Sequence, residues 1–106
     1  MQFLIVTKPA SAPPPEMILP LIDAMSAWIT ANRASGKAKS LWSFAGTGGG
    51  GGVIDVDSHE ELDEIMAGFP FGPFSTTEVY ALSDLDRSLA ASRAVFEGMM
   101  KAMAPR

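Results

Sequence analysis

The chain has 106 residues, a length that limits it to one domain. Its formal net charge is −4, so it lacks the excess of basic residues that would bind the phosphates of a nucleic acid, and a nucleic-acid partner is not expected. The absence of cysteine excludes disulfides, thiol catalysis, iron–sulfur clusters and thiolate zinc sites. No apolar run approaches the roughly 20 residues of a membrane span, and the N-terminus lacks a signal-peptide pattern, so we expect a cytoplasmic protein without a membrane partner.

The first two elements are a strand and a helix. Gln2 to Lys8 are rich in β-formers and apolar on both faces, which predicts a strand. The stiff segment from Pro9 to Pro15 is interpreted as a connector. The helix that follows begins at Pro15 or, because Pro20 is tolerated only near a helix start, around Leu19. Its apolar positions recur at helical spacing: Ile18, Ile22, Met25 and Ile29.

A strand hairpin comes next. Lys39 to Ala45 and Val53 to Val56 are the predicted strands, separated by a glycine-rich run from Gly46 to Gly52. A phosphate-binding loop requires a following helix N-terminus, whereas a strand follows here, so the run is interpreted as a flexible hairpin loop.

A second helix opens at Ser58, which has capping-box spacing to Glu61. Leu62 begins the apolar stripe of this helix, and Gly68 ends the helix. The chain's single histidine, His59, falls in the first turn and is expected to face solvent. One histidine cannot form a multi-histidine metal site, so we predict no metal.

The last elements are a strand and a helix. Ser75 to Leu82 are predicted as a strand, and Asp84 as the N-cap of a third helix. This helix carries few basic residues, which favours an oligomer contact over a lipid surface. Its apolar residues are Leu85, Leu89, Phe96, Met99, Met100 and Met103.

The order β-α-β-β-α-β is that of an α+β, ferredoxin-like fold, in which two helices cover one face of a four-stranded antiparallel sheet. We therefore predict a ferredoxin-like domain over residues 1–82 and a C-terminal helical extension over 83–106. The strands carry apolar residues on both faces, so the second sheet face needs cover from the third helix or from a second copy. We favour a homodimer, or a higher homo-oligomer, in which two sheets meet.

From Leu41 onward the chain resembles the muconolactone isomerase family, and the resemblance extends more loosely over residues 1–82. The residues that carry it are Leu41-Trp42, Ala45-Gly46, Val53-Ile54-Asp55-Val56, Ser58, Glu61-Leu62, Phe69-Pro70-Phe71, Pro73-Phe74, Glu78-Val79 and Leu82. The resemblance implies a dimeric α+β barrel and an isomerase that moves a proton on a small unsaturated lactone or carboxylic acid without a cofactor.

The chain departs from the family at polar positions. Ser43 stands where the family usually has arginine, Asp63 where it often has histidine, and Gly48 to Gly52 where it usually has aromatic and amide residues. Serine cannot bind a carboxylate bidentately as arginine does. These departures favour a changed substrate or lost catalysis over isomerisation of muconolactone itself. The alternative function is a non-catalytic binding or assembly domain that keeps the fold.

Several residues are candidates for the site. Glu78 lies within a strand and would act as the base if it faced inward, where burial raises a carboxyl pKa. The alternative for Glu78 is an outward charge that protects an edge strand. The predicted partner is a small organic molecule, and the candidate substrate-binding residues are Trp42, Ser43, Phe71, Phe74 and Lys8. For the aromatic residues among them, the alternative is a place in the core or at a dimer interface.

Overall fold

A computed structural model describes residues 1–105 and confirms the predicted order of elements. The strands are β1 (Gln2–Pro9), β2 (Ala38–Ser43), β3 (Gly50–Asp55) and β4 (Ser75–Leu82). The helices are α1 (Pro15–Ala34), α2 (His59–Ala67) and α3 (Leu85–Met103), and a short 3-10 helix spans Gly72–Phe74. Arg106, the last residue of the predicted C-terminal extension, lies outside the described residues.

The four strands form one antiparallel sheet in the order β2-β3-β1-β4. This order, with two helices that follow β1 and β3, is the predicted ferredoxin-like arrangement. The core lies on the helix side of the sheet and is built from the buried side chains of Phe3, Ile5, Ile54, Val56 and Leu62.

The two faces of the sheet differ in cover. Along β1 the side chains of Phe3, Ile5 and Thr7 are buried, whereas the intervening Leu4 and Val6 are only half-buried. Because cross-strand partners share a face, the register adds four further apolar or aromatic side chains to the face of Leu4 and Val6: Trp42, Val53, Tyr80 and Leu82. We call this the open face, since α1 and α2 pack on the opposite side.

Helix α3 does not cover the open face. Every residue of α3 is exposed, and the molecule is 74 Å long but only 28 by 23 Å across. The sequence predicted that either the third helix or a second copy covers this face. Within one chain, the third helix does not cover it. Within residues 1–105, no helix is long and apolar enough to cross a membrane.

The structure settles one open alternative, the start of α1, and corrects two local predictions. Helix α1 begins at Pro15 and carries Pro20 inside it. Strand β3 begins at Gly50 rather than Val53, so part of the glycine run is strand and not loop. The capping box is only half formed, because the Ser58 hydroxyl accepts from the Glu61 N–H while the Glu61 carboxylate accepts from the N–H of Asp57 instead of Ser58.

Candidate functional site

A cavity of about 800 Å³ lies between α1 and the sheet. Its volume falls within the range typical of small-molecule sites. Strands β1, β2 and β3 form its floor, and α1 forms one wall. The lining from these elements is Ile5, Thr7, Met25, Trp28, Ile29, Arg33, Leu41, Trp42, Ser43, Ile54 and the backbone of Gly49 to Gly52.

Glycines shape the floor of this cavity. Gly50 and Gly52 pair with Ser43 and Leu41 on the helix side of the sheet, where any side chain would enter the cavity. Gly49 has a φ of 77°, a left-handed conformation that glycine adopts without strain. The run that sequence reasoning interpreted as a loop thus also supplies a floor without side chains.

The remaining walls of the cavity are apolar, and hydrogen bonds and ring contacts hold them in place. The Trp28 indole N–H donates to the carbonyl oxygen of Ile65 at 3.0 Å, and its ring lies 5.4 Å from that of Phe69. These contacts hold α1 against α2. The segment that begins at Pro9, the last residue of β1, was expected to be only a connector, but it also lines the cavity through Pro9, Ser11, Ala12 and Pro13. It is fixed by two N–H groups, of Ala10 and Ser11, that donate to the carbonyl of Phe74.

The predicted site residues divide into two groups. Trp42, Ser43, Phe71 and Phe74 all line the cavity. Lys8 and Glu78 are not among its lining residues. The Trp42 indole lies beside Gly51 on the open face, so this residue borders the cavity from the sheet edge.

Glu78 lies on the open face, opposite the helices. It pairs in register with Val6, and its carboxylate accepts a hydrogen bond from the Tyr80 hydroxyl. That hydrogen bond and the negative charge of Glu78 raise the pKa of Tyr80. Both side chains are exposed. The structure therefore separates the predicted base from the cavity by the thickness of the sheet.

Arg33 is a lining residue that sequence reasoning missed. It is the single charged side chain among the described residues that line the cavity, and these include no carboxylate and no histidine. Its spacing was a usable signal, because Met25, Ile29 and Arg33 recur every four residues along one face of α1.

A second polar cluster ties β2 to α2. The Lys37 ammonium lies 2.6 Å from the Glu61 carboxylate and 3.7 Å from that of Asp57. The hydrogen bond with Lys37, followed by that from the Asp57 N–H, lowers the pKa of Glu61, and the same bond raises the pKa of Lys37. None of these residues lines the cavity, so the cluster has a structural role.

His59 also lies away from the cavity. It is exposed at the start of α2, as expected, and its ring packs edge-on against Phe3 with centroids 5.7 Å apart. In residues 1–105, no group of three or more metal-ligating side chains is close enough to hold a metal ion.

A family model described as muconolactone delta-isomerase matches residues 1–87. The chain belongs to the muconolactone delta-isomerase family. The predicted resemblance is thereby confirmed. The match ends at the start of α3, so nearly all of that helix lies outside it.

Known relatives agree with this assignment. The muconolactone delta-isomerase of Acinetobacter baylyi is 38% identical over 48 residues, which are 45% of this chain and 50% of the relative. The aligned stretch thus spans about half the length of that relative.

Two solved structures share the fold. A muconolactone isomerase crystal structure superposes with a TM-score of 0.72 at 24% identity, over 79% of this chain and 90% of the other. The 5-chloro-2-hydroxyhydroquinone dehydrochlorinase of Burkholderia phenoliruptrix, solved with 2,5-dihydroxybenzoquinone, gives a TM-score of 0.60 at 18% identity, over 82% of this chain and 98% of the other.

Proposed function

We propose that this chain binds a small unsaturated lactone or carboxylic acid in the cavity and shifts a proton on it without a cofactor. The observation that carries the proposal is the cavity itself: about 800 Å³, largely apolar, and with a single charged side chain among the described residues that line it. Ligand sites of this kind combine apolar walls with a few polar groups that orient the ligand.

Family membership supports the class of substrate. The matched family is that of an isomerase named for muconolactone, and a dehydrochlorinase with the same fold holds a small quinone. Ser43 faces the cavity where the family usually carries arginine. For this reason the substrate we propose is a small lactone or acid other than muconolactone itself.

Proton transfer requires a base near the carbon that loses its proton. Glu78 remains our candidate for this base. Its place on the open face means that it acts only if the reacting carbon reaches that face. The Tyr80 hydroxyl, hydrogen-bonded to Glu78, would then be the adjacent proton donor.

We also propose that the protein is a cytoplasmic homodimer or a higher homo-oligomer built from such dimers. The support for the dimer is the uncovered apolar side of the sheet, where Trp42, Tyr80 and Leu82 each expose more than two-fifths of their surface. Apolar patches that remain exposed on a soluble chain commonly mark association sites.

A non-catalytic binding domain is the second candidate function. The observation that favours it is the composition of the cavity lining, which holds no carboxylate or imidazole among the described residues. Such a cavity can bind a ligand, but its own side chains include no group that is a base near neutral pH.

The experiment that separates the two candidates is proton NMR in D2O. The full chain is incubated with a panel of small unsaturated lactones and carboxylic acids, including muconolactone. We expect a double-bond shift with deuterium incorporation in at least one compound and, if the reacting carbon reaches the open face, a loss of about 100-fold or more in Glu78→Gln. Glu64→Gln, which removes an exposed carboxylate from α2, is the matched control. Binding without exchange would favour the binding domain, and full activity of Glu78→Gln would remove Glu78 as the base.

A further inference from the structure

Helix α1 contributes a charged residue, the exposed Arg33, to the lining of the cavity. Met25 and Ile29 line the cavity from one face of α1, and Arg33 follows them at the next four-residue step. An apolar residue would continue this stripe, but a guanidinium takes the place instead. It lies in the last turn of the helix.

Within the described part of the chain, no carboxylate forms an ion pair with this guanidinium. The ion pairs within residues 1–105 join Met1 to Asp55, Lys37 to Asp57 and Glu61, and Arg93 to Glu97, and none includes Arg33. The cavity lining adds no carboxylate. Arginine stays protonated at any physiological pH, so the cavity carries a positive charge that a bound anion would neutralise.

We propose that Arg33 binds the carboxylate of the ligand and so makes this cavity selective for small organic anions. This inference rests on the proposed function, namely that the cavity is the ligand site. A guanidinium binds a carboxylate through two parallel hydrogen bonds, which fixes orientation as well as affinity. The apolar part of the ligand then lies along Met25, Trp28 and Ile29.

Ser43 is a second polar residue in the cavity lining, and it lies on the strand side rather than on α1. It lines the same cavity from β2, so its hydroxyl is a further donor on the wall that faces α1. Compared with the usual pattern of the family, which has arginine at the strand position of Ser43, the cationic group of this chain lies instead at the helix position of Arg33. A ligand would therefore bind with its carboxylate nearer to α1.

Isothermal titration calorimetry of the full chain tests this directly. The probes are three carboxylic acids and their neutral methyl esters: muconolactone, cinnamate and phenylacetate. We expect at least one acid to bind roughly 10- to 100-fold more tightly than its ester, the range given by a charge-assisted hydrogen bond. We expect this preference to disappear in Arg33→Gln.

Two further variants control the result. Arg87→Gln removes the same charge from α3, far along the chain from the cavity, and is expected to keep the preference. The exchange variant Arg33→Gln with Ser43→Arg returns a guanidinium to the cavity from the opposite wall, and is expected to restore the preference. Circular dichroism confirms that each variant is folded.

The outcomes separate the inference from the function on which it rests. Esters that bind as tightly as acids, or an acid preference that survives in Arg33→Gln, would overturn the role of Arg33 and leave the cavity as a ligand site. If no acid or ester binds, the proposed function fails, and the inference fails with it.

Discussion

At the scale of single residues, Gly51 of β3 lies where the neighbouring strands leave no room for a side chain. A Cβ added at Gly51 would lie 2.5 Å from the carbonyl oxygen of Ile5 and 3.1 Å from the indole nitrogen of Trp42. No side chain fits there without displacing backbone. The absence of a side chain at Gly51 is therefore required by the close approach of the neighbouring strands.

Gly51→Ala is expected to lower the free energy of unfolding by about 1–3 kcal/mol, the usual cost of forcing extra atoms into a packed region. Urea denaturation measures the change. Gly98→Ala on α3 is the control, because nothing lies within 4 Å of its added Cβ, and replacing glycine in a helix raises helix stability by about 0.5–1 kcal/mol. Equal stability of Gly51→Ala and the unsubstituted chain would contradict the tight approach.

The Lys37–Glu61 pair makes stability depend on pH. The folded pKa of Glu61 lies below its unfolded value, so its contribution is present above the unfolded pKa and is lost as pH falls through the folded one. The folded pKa of Lys37 is raised, so its contribution is lost only as pH rises through that value. The pair therefore stabilises the fold across the neutral range.

Glu61→Gln is expected to flatten the acid limb of the stability profile, between about pH 5 and about pH 3, where carboxylates titrate. Urea midpoints measured at intervals of pH give the profile. Glu64→Gln removes an exposed carboxylate of the same helix that has no ion pair in the described residues, and should leave the slope nearly unchanged. An unchanged slope in Glu61→Gln would show that the Lys37 contact contributes nothing.

At the scale of elements, α3 has the pattern of a self-associating helix. Five of its apolar residues and Ser92 recur at alternating steps of four and three: Leu85, Leu89, Ser92, Phe96, Met99 and Met103. This spacing is that of a coiled-coil seam. All of these residues are exposed in the single chain, so the seam has no partner within it.

Phe96→Asp places a charge at the centre of this seam, and we expect it to abolish species larger than the dimer. Native mass spectrometry measures the assembly. Ala94→Asp puts the same charge on the opposite side of α3, because two residues correspond to about 200° of helix, and should keep the larger species. If both variants assemble alike, the seam of α3 is not an interface.

At the scale of the whole molecule, the sequence predicted what depends on local pattern. The bounds Ser75–Leu82 of β4 and the Asp84 cap of α3 were read correctly, since β-propensity and capping act over a few residues. The start of β3 at Gly50 was missed, because glycines give no side-chain signal and the strand is made by pairing with distant residues.

The site was harder to predict than the fold. Ser43 and Phe74, both predicted to bind the substrate, line the same cavity, and their role there stays a prediction. Arg33 was missed, since its place in the cavity lining depends on how far α1 stands from the sheet, a distance that no local pattern encodes. The sequence does not decide which face of the sheet carries Glu78, because a shift of one residue in strand register moves its side chain to the other face. The pairing of Glu78 with Val6 places it on the open face.

The proposed dimer gives the last prediction, which concerns the open face. Leu82→Lys places a charge where the side chain of Leu82 is 43% exposed, and we expect it to weaken the dimer about tenfold or more, because burying an unpaired charge is costly. Val79→Lys is the matched control: Val79 is 48% exposed on the same strand, but it pairs with Ile5 on the helix side of the sheet. Sedimentation equilibrium across micromolar concentrations measures both dissociation constants. A monomer in the unsubstituted chain, or equal weakening by the two variants, would show that the sheets do not meet, and the open face of β1 and β4 would then remain exposed to solvent.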